Sequence, residues 1–195
     1  MRRIPRVLAV AATLALLAAG CGSHARRDPG VAAAIAGSRP LGVGPRFMPP
    51  APAGAVAGCR PALGPRDAVH VELFAAGRIV LIPRGIGVGP DPRLDAGRIV
   101  SARCFGPIAT LEPTGVVLVR RAARARLGDL FRVWRAPLAS DRLLTFGGRR
   151  VRAFVGGIPW TGDPAAIPLR RHAEIVLETG PQVPPHRAYA FPPGL

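Results

Sequence analysis

The stretch Val69-His70-Val71-Glu72-Leu73-Phe74-Ala75-Ala76-Gly77-Arg78-Ile79-Val80-Leu81-Ile82 decides the fold. Val69 to Phe74 alternates apolar and polar residues, the period-two pattern of a half-buried strand. Ala75-Ala76-Gly77-Arg78 turns the chain, and Ile79–Ile82 returns as the second arm of a hairpin. Pro83 stops that arm, because proline has no N–H to give to a ladder.

Downstream of the hairpin, residues 84–97 are rich in Gly and Pro and read as a loop. Arg98 to Cys104 is a short strand candidate, and Gly115-Val116-Val117-Leu118-Val119 is a stronger, β-branched one. A single helix is expected over 126–135. Leu127, Leu130, Phe131 and Trp134 fall at i, i+3, i+4 and i+7, with Asp129, Arg132 and Arg135 off that face. Pro137 ends it. Val151–Val155, a Gly156-Gly157 turn and Ile158-Pro159-Trp160 read as a second hairpin, and Ala173–Glu178 as the last strand. Glu174 and Glu178 share one face of that strand and read as surface charge. The order predicts an α+β fold: a mixed or antiparallel sheet of five or six strands with one helix packed across it, in an arrangement similar to a β-grasp. The domain is placed at 58–180. The Pro-rich tail 181–195 packs, if at all, through Tyr189 and Phe191.

Upstream, residues 1–20 read as a signal peptide. Arg2, Arg3 and Arg6 form a positive start, and Val7–Ala19 is an uncharged apolar run of thirteen residues. A membrane-spanning helix needs about 20. The run ends in Leu17-Ala18-Ala19-Gly20-Cys21, small residues before a cysteine. This is the pattern of a bacterial lipobox, in which Cys21 is lipidated and becomes the mature N-terminus. An ordinary secretory signal with an incidental cysteine is the other reading. Residues 21–57, rich in Gly, Ala, Pro and Arg, read as a flexible tether with a reach of about 30 Å. The expected location is therefore the outer face of the cell membrane, held by lipid.

Composition constrains function less than its charge suggests. All 27 basic residues are Arg, the formal charge is +16, and Ala, Gly, Pro and Arg make up 107 of the 195 residues. These four types share GC-rich codons, so a basic chain here does not by itself indicate a nucleic-acid partner. Removal of residues 1–20 takes three arginines and leaves +13. The run Arg120-Arg121-Ala122-Ala123-Arg124-Ala125-Arg126 carries four Arg and no acid. A solvated surface, attraction of Arg120, Arg121, Arg124 and Arg126 to anionic lipid or envelope polymer, and nucleic acid are its three readings. Export and scarce aromatics disfavour the last.

With Cys21 lipidated, Cys59 and Cys104 remain as a pair. In an oxidising compartment a disulfide is the economical reading. It would close a loop of 46 residues and contribute about 4 kcal/mol in the chain-entropy model. A structural metal is the alternative, without CxxC spacing to support it.

Catalytic signatures are weak. None of the four serines lies in Gly-x-Ser-x-Gly. His24 and His186 fall in segments without expected structure, and His172 reads as a solvated strand start. Gly85-Ile86-Gly87-Val88-Gly89 precedes no helix, so it is not a phosphate cradle. The expectation is a non-catalytic binding or structural domain with no cofactor, attached to the membrane by its lipid.

Several short motifs, in order, resemble a family of exported actinobacterial proteins: His70 with Phe74 and Gly77, Pro83-Arg84-Gly85-Ile86-Gly87, Cys104, Leu127-Gly128 with Phe131 and Trp134, Gly162-Asp163-Pro164 with Ile167-Pro168-Leu169, and Phe191-Pro192-Pro193-Gly194-Leu195. The resemblance covers about residues 59–195. It implies a His-x-His-Leu strand, a His-Thr-His-Asp stretch and a further strand histidine, which together look like a metal-ligand set. This chain departs from that set. Ala68 replaces the first His, Ala109-Thr110-Leu111-Glu112 stands for His-Thr-His-Asp, and Leu118 replaces the later His. Only His70 and Glu112 remain as remnant metal candidates, too few for a transition-metal site. The resemblance therefore implies a divergent member that has lost the set. A metal-binding or metal-dependent exported protein is the alternative function.

Overall fold

Arg66–Ala75 forms the longest strand, β1, and occupies the middle of the main sheet. The computed structural model describes residues 39–195. The expected signal peptide, the Cys21 lipidation position and the 22–38 part of the expected tether lie outside the described residues.

The strands that follow are β2 (Arg78–Val80), β3 (Arg93–Asp95), β4 (Arg98–Ser101), β5 (Ile108–Ala109) and β6 (Val116–Arg120). Helix α1 (Leu127–Trp134) comes next, then β7 (Leu138–Ala139), β8 (Arg142–Leu143), β9 (Phe146–Gly147), β10 (Val151–Val155), β11 (Ile158–Trp160), a 3-10 turn at Pro164–Ala166 and β12 (Glu174–Thr179). The main sheet runs β11-β10-β12-β1-β6-β5, and β2 pairs with the end of β1 that β6 leaves free. With β2 the sheet has seven strands, one more than the sequence suggested, because the short β5 extends its edge. It is mixed: β12 lies parallel to β1, in register His70↔Glu174, and every other pairing in it is antiparallel. Small separate sheets form from β3–β4 and from β7–β8–β9. The latter has two-residue strands whose pattern is too short to read in sequence.

Alternation along β1 separates two faces. Val69, Val71, Leu73 and Ala75 meet the buried Leu127, Leu130, Phe131 and Trp134 of α1 in the largest apolar cluster. Asp129 accepts the Arg126 N–H at 2.8 Å and closes the helix start. Arg135, at φ 57°, ends the helix in a left-handed turn before Pro137.

The domain is larger than the expected 58–180. Residues 39–57 are not a free tether. Gly42 N–H donates to the Ile79 carbonyl, Ile79 N–H donates to the Pro40 carbonyl, both at 3.0 Å, and the Trp134 indole donates to the Pro50 carbonyl at 3.1 Å. The free edge of β2 recruits this backbone despite its lack of a periodic pattern. The tail also packs: Val183 is buried, and Phe191 and Leu195 join an apolar cluster on the face away from α1.

The Cys59–Cys104 disulfide is formed, with Cα atoms 5.5 Å apart. It ties the chain ahead of β1 to the segment after β4. Arg66, opposite Arg120 in register, donates to the carbonyls of Leu63, Gly106 and Pro107. Burial, with a smaller contribution from Arg120, lowers its guanidinium to about 10.

Candidate functional site

The face of the sheet away from α1 carries His70 and Glu72 from β1 and Glu174 from β12. Alternation puts His70 and Glu72 on one side, and the parallel pairing sets Glu174 beside His70. His70 and Glu174 are 5% and 2% exposed. His70 Nε2 lies 3.0 Å from the Thr114 carbonyl. A carbonyl only accepts, so Nε2 carries a proton and donates it. Nδ1 then faces the Glu174 carboxylate at 2.8 and 3.1 Å. Gly115 permits this approach: at φ +81°, a Cβ there would stand 2.6 Å from the Val71 carbonyl oxygen and 2.9 Å from His70 Nε2. Burial pushes the Glu174 carboxyl above the usual range, against the hydrogen bond and charge of His70.

The tail completes the arrangement. His186, expected to lie in an unstructured segment, sets Nδ1 2.8 and 2.9 Å from the two Glu72 oxygens. Tyr189 stacks on the His70 ring at 3.8 Å between centroids. His172 is exposed, as expected, and it also donates Nε2–H to the Leu195 carbonyl at 2.9 Å and stacks on Phe191, so it fastens the chain end. Glu178, read as surface charge along with Glu174, is also buried. One of its oxygens accepts from Arg152 at 3.0 and 3.2 Å, and the other has no partner among the described residues.

The remnant metal candidates separate. His70 stays in the cluster just described, whereas Glu112 forms an ion pair with Arg98. Ala68, Ala109, Leu111 and Leu118, which stand where the resemblance implies histidines, meet in one buried apolar cluster with Val88, Ile99 and Phe105. Glu174 and His186 were missed in sequence. Their signal was only indirect: the last strand of a mixed sheet can lie beside the first, and a His-bearing tail can fold back over both.

In the basic run Arg121, Arg124 and Arg126 are exposed and Arg120 is half-buried. Arg120 turns inward to the Phe105 carbonyl at 3.1 Å, Arg121 pairs with Asp67 at 3.3 Å, and the Arg126 backbone caps α1. Arg124 instead borders a cleft of about 440 Å³ between residues 52–57, α1 and the 123–125 stretch. Pro52, Val56, Ile108, Ala125 and Val133 supply apolar walls, and the exposed Arg124, Arg132 and Arg135 stand at the border. Asp129 pairs with Arg132 at 2.7 Å. Arg124 and Arg135 pair with no carboxylate among the described residues. No helix among the described residues is long and apolar enough to cross a membrane.

No family model matches the chain, and neither the curated proteins nor the solved structures contain a significant match to it.

Proposed function

We propose that this chain is an exported domain, held at the outer face of the cell membrane by lipid on Cys21, whose work is binding instead of catalysis. Its ligand is an amphipathic anion: an apolar chain in the cleft beneath residues 52–57, with an acidic head against Arg124 and Arg135. The observation that carries this reading is the pairing of apolar walls with two arginines that have no acidic partner among the described residues. An acyl chain gains from burial at about 25 cal/mol per Å², and a guanidinium favours a carboxylate or phosphate through its planar fork. Lipid heads at the membrane and acidic envelope polymers both offer such groups, and the apolar walls favour the lipid.

Kinship with the exported actinobacterial family belongs to the same proposal. It is supported by the meeting of Ala68, Ala109, Leu111 and Leu118: positions far apart in sequence that the resemblance singles out come together in space. Their apolar character supports a divergent member whose histidine set has become packing. A β-grasp relationship is supported by strand order. With β5 and β2 set aside, β6-β1-β12-β10-β11 places the first and last long strands side by side and parallel, with α1 between β6 and β10 in the chain.

The test compares laurate with lauryl alcohol as probes of the full chain. Laurate is expected to bind, the alcohol to bind more weakly, and the double change Arg124→Glu, Arg135→Glu to remove that preference while the fold is retained. Equal binding of both probes, or an unaffected double variant, overturns the reading.

A further inference from the structure

We propose that His70, Glu72, Glu174 and His186 form a site for one divalent transition-metal ion on the sheet face opposite α1, beneath the C-terminal tail. The donor atoms of His70, Glu72 and Glu174 all lie within 4.8 Å of one another. His186 stands outside that trio, on the tail, and brings a second imidazole to its rim, with Nδ1 2.8 Å from Glu72. The ligands come from β1, β12 and the tail, so the site exists only in the folded chain.

The protonation pattern of His70 carries the inference further than proximity does. Nε2–H is committed to the Thr114 carbonyl, which leaves Nδ1 as the only nitrogen with a lone pair to offer. Nδ1 is the atom that faces the Glu174 carboxylate. Metal-bound imidazoles are fixed in this way, with the second ring nitrogen donating to a carbonyl or carboxylate. Two imidazole nitrogens and two carboxylates then face one another as neighbouring pairs. Each pair needs a cation between its members, because two lone pairs at 2.8 Å repel. One divalent ion meets for both pairs the requirement that two separate protons meet otherwise.

Donor chemistry sets the class of ion. Two nitrogens and two oxygens suit zinc and its neighbours in the first transition row, whereas calcium and magnesium prefer all-oxygen sets. Tyr189 covers His70, and His186 at the exposed end is the ligand an incoming ion meets first. The site differs from the histidine set of the resemblance. It shares His70 alone, and the other positions of that set are filled by the neighbouring apolar cluster.

The experiment titrates the chelator-stripped full chain with Zn²⁺ by calorimetry, and with Co²⁺ by visible absorption. One ion per chain is expected, with Co²⁺ bands of a nitrogen-oxygen site and a higher melting temperature in Zn²⁺. His186→Ala and Glu72→Gln remove exposed or half-buried ligands. Each is expected to weaken Zn²⁺ binding by at least about ten-fold, with circular dichroism unchanged. Substoichiometric binding, or affinity that both folded variants retain in full, overturns the proposal.

Discussion

On the α1 side of the sheet β1 contributes Val69, Val71, Leu73 and Ala75; on the other side it contributes Ala68, His70, Glu72 and Phe74. The first set meets a helix and is closed by packing alone. The second is covered by the 98–112 region and the tail, and its middle is a row of titratable groups fastened to one another. The difference teaches where this chain can tolerate drift. Apolar packing accepts other apolar residues of similar volume. A buried carboxylate facing a histidine accepts few replacements, because either partner left alone is a buried unsatisfied group.

Changes on the α1 face break the comparison most strongly. Phe131→Ala removes a side chain that is 2% exposed at the centre of the largest cluster. A loss of about 3–5 kcal/mol is expected, read from the denaturant midpoint, with the His70 environment unchanged in any protein that stays folded. On the other side of the molecule, reduction of Cys59–Cys104 is expected to cost about 4 kcal/mol or somewhat less. It would appear as a marked fall in melting temperature that the double serine variant reproduces.

A smaller effect sharpens the comparison at the tail. His172→Ala loses the hydrogen bond to the Leu195 carbonyl and the stacking on Phe191. About 0.5–1.5 kcal/mol is expected, together with faster hydrogen exchange at the chain end and little change in α1. Cys21→Ser is expected to leave the melting temperature of the domain unchanged while releasing the protein from the detergent phase. Retention there would contradict lipid attachment at Cys21.

The α1 face was legible in sequence because both of its periods are clean. Val69, Val71 and Leu73 repeat every two residues, and Leu127, Leu130, Phe131 and Trp134 follow the helical period. The disulfide was legible because two cysteines remain once Cys21 is assigned. The packing of residues 39–57 was not, since it depends on backbone groups of β2 that any sequence can satisfy. The polar cluster was half legible. His70 and Glu72 share a face by spacing, but Glu174 joins them only through a parallel pairing that spans 104 residues. His186 joins through a tail whose prolines suggest no regular structure. The burial of Glu174 and Glu178 ran against composition, because carboxylates are seldom buried without partners. The partners, His70 and Arg152, are distant in sequence.

The most direct measurement of the proposed metal site around His70, on the sheet face opposite α1, is a long-range proton–nitrogen spectrum of the His70 imidazole with and without Zn²⁺. The expected result is a protonated Nε2 in both states, held by the Thr114 carbonyl, and an Nδ1 resonance that shifts when one equivalent of Zn²⁺ is added. An Nδ1 resonance that does not move in excess Zn²⁺, or a His70 ring that carries its proton on Nδ1 with Nε2 bare, would contradict it.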